Sequence, residues 1–214
     1  MEFIDYSLKV GHTWLIEGLN ISFEKNVMNH LLGSNGSGKS CFAKSCAGML
    51  KSKGRIVGKE ETVLLGSGSN IPSAFHLPDV VKLLLKRFEE SRVLELYKLL
   101  KLHEASQSLP IRKMSDGQKQ KIKLLSFLSG SPKVILLDEF TSALDQRSSL
   151  DLYEFLRGYI SENDITFLNI THNLSDIEYL PGNYYYLHHR NIIQIATKEE
   201  IINAYVRGGL DDGS

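Results

Sequence analysis

The chain has 214 residues, 42% of them hydrophobic and 23% charged, ordinary proportions for a globular protein large enough to bury a core. Lys plus Arg and Asp plus Glu each number 25, so the formal net charge is zero and gives no electrostatic case for nucleic acid or an acidic membrane surface. No apolar run approaches the roughly 20 residues that cross a bilayer, and the start, with Glu2 and Asp5, lacks the basic region of a secretory signal.

Residues 2–7, 14–23 and 27–32 mix β-branched and aromatic side chains between turn residues and are predicted as strands. The third runs into a glycine-rich loop at 33–38, and a helix is predicted from 39 to about 48. Cys41 and Cys46 share that helix five residues apart, too far for a disulfide at about 1.5 Å of rise per residue. They are expected to be small packing side chains in a reducing compartment. Two short strands follow at 55–57 and 62–65.

Beyond Pro72 the pattern turns helical. Val80, Leu83, Leu84 and Phe88 share one face over 79–90, and Val93, Leu96, Leu99 and Leu100 repeat the spacing over 92–102. Pro110 breaks the run, and Ser115 is placed to cap a third helix over 116–129. The α/β alternation resumes with an apolar strand at 134–137, an amphipathic helix at 146–160, a strand at 166–170 and a short helix at 174–179. A hairpin of 184–187 and 192–195 and a helix at 198–205 complete the pattern, with a frayed tail expected from 208 to 214.

Gly33-Ser34-Asn35-Gly36-Ser37-Gly38-Lys39-Ser40 satisfies the phosphate-loop pattern G-x-x-x-x-G-K-[ST], between a predicted strand and a predicted helix. Glycines let successive N–H groups turn inward around phosphate oxygens, and the helix N-terminus adds partial positive charge. Lys39 would reach the β- and γ-phosphates and the Ser40 hydroxyl would ligate Mg²⁺. The nucleotide-binding set expected here is residues 33–40 together with Cys41. The strand at 134–137 ends in Asp138-Glu139. Asp138 would hold Mg²⁺ through a water, and Glu139 would polarise the attacking water; taken singly, such a pair is more often a solvated turn.

Met114-Ser115-Asp116-Gly117-Gln118 resembles the LSGGQ motif that defines ABC (ATP-binding cassette) ATPases. The phosphate loop, this motif, Leu137-Asp138-Glu139 with Thr141-Ser142-Ala143-Leu144-Asp145, and Thr171-His172 follow in the family's order along the whole chain. The resemblance implies an α/β P-loop core with a small antiparallel β subdomain (1–70 and 131–214) and an inserted helical subdomain (72–130), forming one nucleotide-binding domain over 1–214. It implies ATP and Mg²⁺ as cofactors, and two cassettes, identical or not, paired head to tail. Ser115 and Gly117 of one would then meet the γ-phosphate bound by the other, with Gln118 also in the nucleotide-binding set. Asp145 resembles the residue that communicates across the dimer. His172 resembles the switch histidine that, with Lys39 and Glu139, makes up the catalytic set. His12, His30, His76, His103, His188 and His189 receive no catalytic role.

Three departures stand out. Asp116 replaces a glycine and is expected to turn its carboxylate away from phosphate. The family's Q-loop glutamine is missing, with Ser67 at its place as a possible Mg²⁺ contact. The position that stacks on adenine is Val10, with His12 or Tyr6 as substitutes. The reading that follows is a cytoplasmic ATPase motor, peripheral to the membrane through a separate transmembrane permease. A non-transport ABC ATPase acting on a macromolecular assembly, or an ATP-binding regulator with little hydrolysis, are the alternatives.

Overall fold

The computed structural model describes residues 1–66 and 68–209, and within them the strands form two sheets. The first part of the chain supplies β1 (Glu2–Val10), β2 (Thr13–Ser22), β3 (Met28–Gly33), α1 (Lys39–Cys46), β4 (Lys53–Val57) and β5 (Thr62–Leu65). Three helices follow, α2 (Leu77–Arg87), α3 (Glu90–Leu99) and α4 (Asp116–Leu128). The chain continues with β6 (Val134–Asp138), α5 (Gln146–Glu162), β7 (Thr166–Ile170), α6 (Leu174–Tyr179), β8 (Gly182–His188), β9 (Asn191–Ile195) and α7 (Lys198–Arg207). One sheet is antiparallel, in the order β2-β1-β4. The other runs β5-β6-β7-β3-β8-β9, parallel except for the β8–β9 hairpin.

β6 shows why this larger sheet lies in the middle. A strand covered on both faces needs an unbroken apolar run, and Val134-Ile135-Leu136-Leu137 supplies one. Because side chains alternate, Val134 and Leu136 enter the cluster made with Phe3, Tyr6 and Phe42. Ile135 and Leu137 enter the opposite cluster, with Leu77, Leu124, Leu128 and Leu156 of the helices. The central strands are thereby pinned between the antiparallel sheet with α1 on one side and the helical layer on the other.

Local chemistry moves some ends from where periodicity puts them. β1 runs past Ser7 to Val10 because Leu8 is buried opposite Ile16. α2 begins early, at Leu77, since the Asp79 carboxylate accepts the His76 N–H at 2.9 Å and Pro78 suits a first helical turn. α3 stops at Leu99, short of the expected end, before Lys101 takes a left-handed conformation with φ 53°. Cys46 is buried on α1, where the apolar surroundings push its thiol well above the usual range, while Cys41 is partly covered by the same cluster. Residues 210–214 of the expected tail lie outside the described residues.

Candidate functional site

β3 is buried throughout and its end delivers the loop 33–38 to the edge of the larger sheet. Gly38 caps α1 with φ 105°, and a Cβ there would sit 3.0 Å from Leu15, so both conformation and space require glycine. The first turn of α1 carries no acidic residue, leaving its N-terminal N–H groups and partial positive charge to an anion. Lys39 folds back over the loop, its ammonium donating to the carbonyls of Gly33 at 2.7 Å and Ser34 at 2.9 Å. Burial holds its pKa below the usual lysine value, against the opposing pull of Glu139 and Asp138.

The parallel pairing of β6 with β7 sets the other half of the site. Asp138, the last residue of β6, accepts the Ser40 hydroxyl at 3.1 Å. Burial raises the Asp138 carboxyl above its ordinary value; the Ser40 hydrogen bond works against this and the neighbouring charge of Glu139 adds to it. The hydroxyl and carboxylate oxygens suit a hard cation such as Mg²⁺, which keeps waters and takes further oxygens from phosphates. Among the described residues no group of three His, Cys, Asp or Glu side chains could hold a metal by itself. Ser40 and Asp138 bring two such oxygens together, a set that fits an ion shared with the nucleotide. Gly66, after β5, approaches Asp138 so closely that a Cβ would meet its Cβ at 3.2 Å. Ser67 lies outside the described residues.

Glu139 has φ 53°, a conformation that costs a non-glycine residue on the order of 1–3 kcal/mol and persists only where its surroundings impose it. Its N–H donates to Ile170 at 2.9 Å and its carbonyl accepts the Ser142 hydroxyl at 2.8 Å. The side chain turns toward His172, with Oε1 3.2 Å from Nδ1 and both groups about half exposed. His172 follows β7, where Thr171 Oγ1 accepts the N–H of Asn173 at 2.9 Å. A cleft of about 440 Å³ opens beside these carboxylates, bounded by Ser40, Gly66, Asp138 and Glu139 on the core side and by Asp116 and Lys119 on the helical side.

Ser115 lines a hollow with Gly117, Gln118, Arg147 and Ser148, separate from the cleft beside Ser40 and Asp138. Its hydroxyl accepts the Gln118 N–H at 3.2 Å and the Gln118 side chain accepts the Ser115 N–H at 3.3 Å, a reciprocal cap on α4. Asp116 turns to Lys119 at 3.0 Å. Gly117 is pressed onto α5: an added Cβ would stand 2.6 Å from Ser148 Oγ, itself bonded to Asp145 at 2.8 Å. Asp145 also caps α5 through the Ser148 N–H at 2.9 Å, so the motif and the Asp145 turn form one packed unit. Gly117→Ala is expected to destabilise the fold by about 1–3 kcal/mol through overpacking. Thermal unfolding checks this, since Gly117→Ala combined with Ser148→Gly should recover part of the loss.

Tyr6 is fully buried among Phe3 and Phe42 and cannot stack on a base, which corrects that expectation. The register of β1, shifted twice around Tyr6, turns its ring into the core. Val10 and His12 are exposed at the β1–β2 turn. Sequence reasoning also passed over a buried polar cluster behind Glu139 and His172. Asp176 is 1% exposed and receives Thr141 Oγ1 at 2.7 Å, the Tyr153 hydroxyl at 2.6 Å and Asn169 Nδ2 at 3.0 Å. The available signal was Asn169, a polar residue in the middle of the apolar strand Thr166–Ile170.

A glycine loop wrapping the start of a helix, a lysine folded over it, and a strand-end carboxylate meeting the helix serine define a P-loop nucleotide-binding domain. The family model for ABC transporter matches residues 16–142. The chain is 35% identical over 210 residues to a probable peptide export ATP-binding protein, YydI, of Bacillus subtilis (strain 168), covering 96% of this chain and 99% of that protein. It is 30% identical over 194 residues to the energy-coupling factor transporter ATP-binding protein EcfA1 of Staphylococcus aureus (strain MW2), covering 81% and 72%. A nucleotide-free ATP-binding cassette from an ABC transporter shares the fold, with TM-score 0.78 at 21% identity over 95% of this chain and 94% of that one. The cbiO1 structure from Clostridium perfringens gives TM-score 0.78 at 23% identity over 96% and 91%. The chain belongs to the ABC transporter family, as an ATP-binding subunit. No helix among the described residues is long and apolar enough to cross a membrane.

Proposed function

We propose that the chain hydrolyses ATP and uses the cycle to drive a separate transmembrane permease from the cytoplasmic side. The observation that carries this reading is the convergence of Lys39, Ser40, Asp138, Glu139 and His172 on one sheet edge, with Glu139 and His172 3.2 Å apart. The N–H groups of residues 33–38 and the Lys39 ammonium bind and orient the triphosphate. Ser40 and, through water, Asp138 would hold Mg²⁺, which would supply positive charge against that developing on the transferred phosphoryl group. Glu139 accepts the proton of the attacking water, and His172 fixes Glu139 and reaches for the γ-phosphate. Ser115, Gly117 and Gln118 line a hollow with Arg147 and Ser148, separate from the cleft beside Ser40 and Asp138, which favours their use on the nucleotide of a second cassette, with Asp145 capping the adjoining helix. The end-to-end likeness to a peptide export ATP-binding protein makes a peptide the first cargo to test.

The test is phosphate release by the purified chain with and without Mg²⁺, joined to identification of the membrane proteins that co-purify with it. Turnover that stops on chelation, together with a co-purifying polytopic permease, is expected. Mg²⁺-independent turnover, or capture of only ribosomal or DNA-bound partners, contradicts the reading.

A further inference from the structure

Asp176 is a carboxylate in a place that should cost dearly. It is 1% exposed, and the side chains that hydrogen-bond it are neutral donors rather than cations. Four donors compensate instead. Oδ1 accepts from Thr141 Oγ1 at 2.7 Å, Tyr153 OH at 2.6 Å and Asn173 Nδ2 at 3.4 Å, and Oδ2 accepts from Asn169 Nδ2 at 3.0 Å. The set extends further, since Asn169 Nδ2 also lies 3.4 Å from His30 Nδ1, whose other ring nitrogen lies 2.6 Å from the Leu180 carbonyl. His30 is fully buried, and burial lowers its pKa, so it is neutral and satisfies one partner with each nitrogen.

The donors come from segments that carry chemistry. Thr141 belongs to the turn in which Glu139 is held at φ 53°. Asn173 is the neighbour of His172 and caps α6 through its Oδ1, which accepts the Ser175 N–H at 3.1 Å. Asn169 lies on β7, which delivers His172, and His30 on β3, which delivers the phosphate loop. One buried carboxylate therefore ties together the segments whose side chains meet at 3.2 Å. A buried network is rigid only when complete, so loss of one member frees the segment it held.

We propose that Asp176 is a positioning residue for hydrolysis: through Thr141 and Asn173 it holds Glu139 and His172 in register with each other. The proposal rests on the hydrolytic reading above and names a requirement of the same site. Thr141 and Tyr153 offer an internal control, because both give a hydroxyl to the same oxygen but only Thr141 sits on a catalytic segment.

Steady-state ATP hydrolysis and thermal unfolding are measured for Thr141→Val, Thr141→Ser, Asp176→Asn and Tyr153→Phe in the full chain. Thr141→Val and Asp176→Asn are expected to lower kcat at least about tenfold with KM for ATP within about twofold, as displaced reacting groups do. Thr141→Ser keeps the hydroxyl and should stay within about threefold of the parent, as should Tyr153→Phe, whatever it does to stability. The proposal is overturned if Thr141→Val keeps its kcat, or if Thr141→Val and Tyr153→Phe are impaired alike. A second readout needs no turnover: the His172 ring signal in NMR, assigned with His172→Gln, should move in Thr141→Val and stay in Tyr153→Phe. A signal unmoved in Thr141→Val refutes the link. A parent chain that hydrolyses no ATP refutes the hydrolytic reading instead, and the ring signal then decides the role of Asp176.

Discussion

Replacing Lys39 by alanine is expected to leave a folded chain that has lost ATP turnover. The ammonium lies over the loop carbonyls of Gly33 and Ser34, with the loop's N–H groups and the α1 N-terminus nearby. A cation aimed at charge that develops on a transferred phosphoryl group is worth about 10²–10³ in rate, as single preorganised donors are. Stability should move the other way. Burial holds the folded pKa of Lys39 below its unfolded value, so near neutral pH the charged lysine is an unfavourable term. That term eases only as pH rises through the folded pKa toward the unfolded one. Lys39→Ala should therefore unfold at the same temperature as the parent or a higher one while releasing phosphate at least about a hundredfold more slowly. Turnover at the parental rate would remove Lys39 from the mechanism. A cooperative loss of stability would mean that the lysine serves the fold.

Glu139→Gln should separate binding from hydrolysis. The amide keeps the shape of the side chain and a hydrogen bond to His172, but it cannot take a proton from water. Positioned bases contribute about 10²–10⁴ in rate, so turnover should fall within that range while ATP still binds. With hydrolysis blocked, the closed arrangement of two cassettes around ATP should accumulate. Light scattering at saturating ATP and Mg²⁺ should then report a dimer, and loss of that dimer on adding Ser115→Arg would locate the contact. A monomer under these conditions argues against closure around the nucleotide.

Those residues were readable in the sequence because their chemistry is local. The phosphate loop needs glycines and a lysine within eight consecutive positions, and nothing distant changes what that spacing can do. The strand Val134–Asp138 was readable for a similar reason, since an unbroken apolar run ending in a carboxylate has few other uses. Tyr6 was misjudged because irregularities on both sides of it decide which face its ring takes, and alternation alone cannot place them. The Asp176 cluster escaped for a stronger reason. Thr141 meets Asp176 across 35 positions and Asn169 approaches His30 across 139, pairings that only the strand order β6-β7-β3 creates. Seen one at a time, Thr141, Asn173 and Asp176 look like surface polar groups or helix caps, and Asn169, set in an apolar strand, is the one hint of burial among them.

On the proposed use of Ser115 and Gly117 toward the nucleotide of a second cassette, their attachment within the fold has a mechanical consequence. Ser115 and Gly117 are fixed to α4 and α5, whereas the phosphate loop is fixed to β3 and α1. A second cassette that completes the site would bring these two blocks together, and the helical layer would carry that movement toward a membrane partner.

A crystal structure of the Glu139→Gln chain grown with ATP and Mg²⁺ tests the central arrangement most directly. The expected result is a γ-phosphate within hydrogen-bonding distance of Lys39 in one copy and of Ser115 in a second. A triphosphate enclosed by one copy alone, with Ser115 facing solvent, would contradict it.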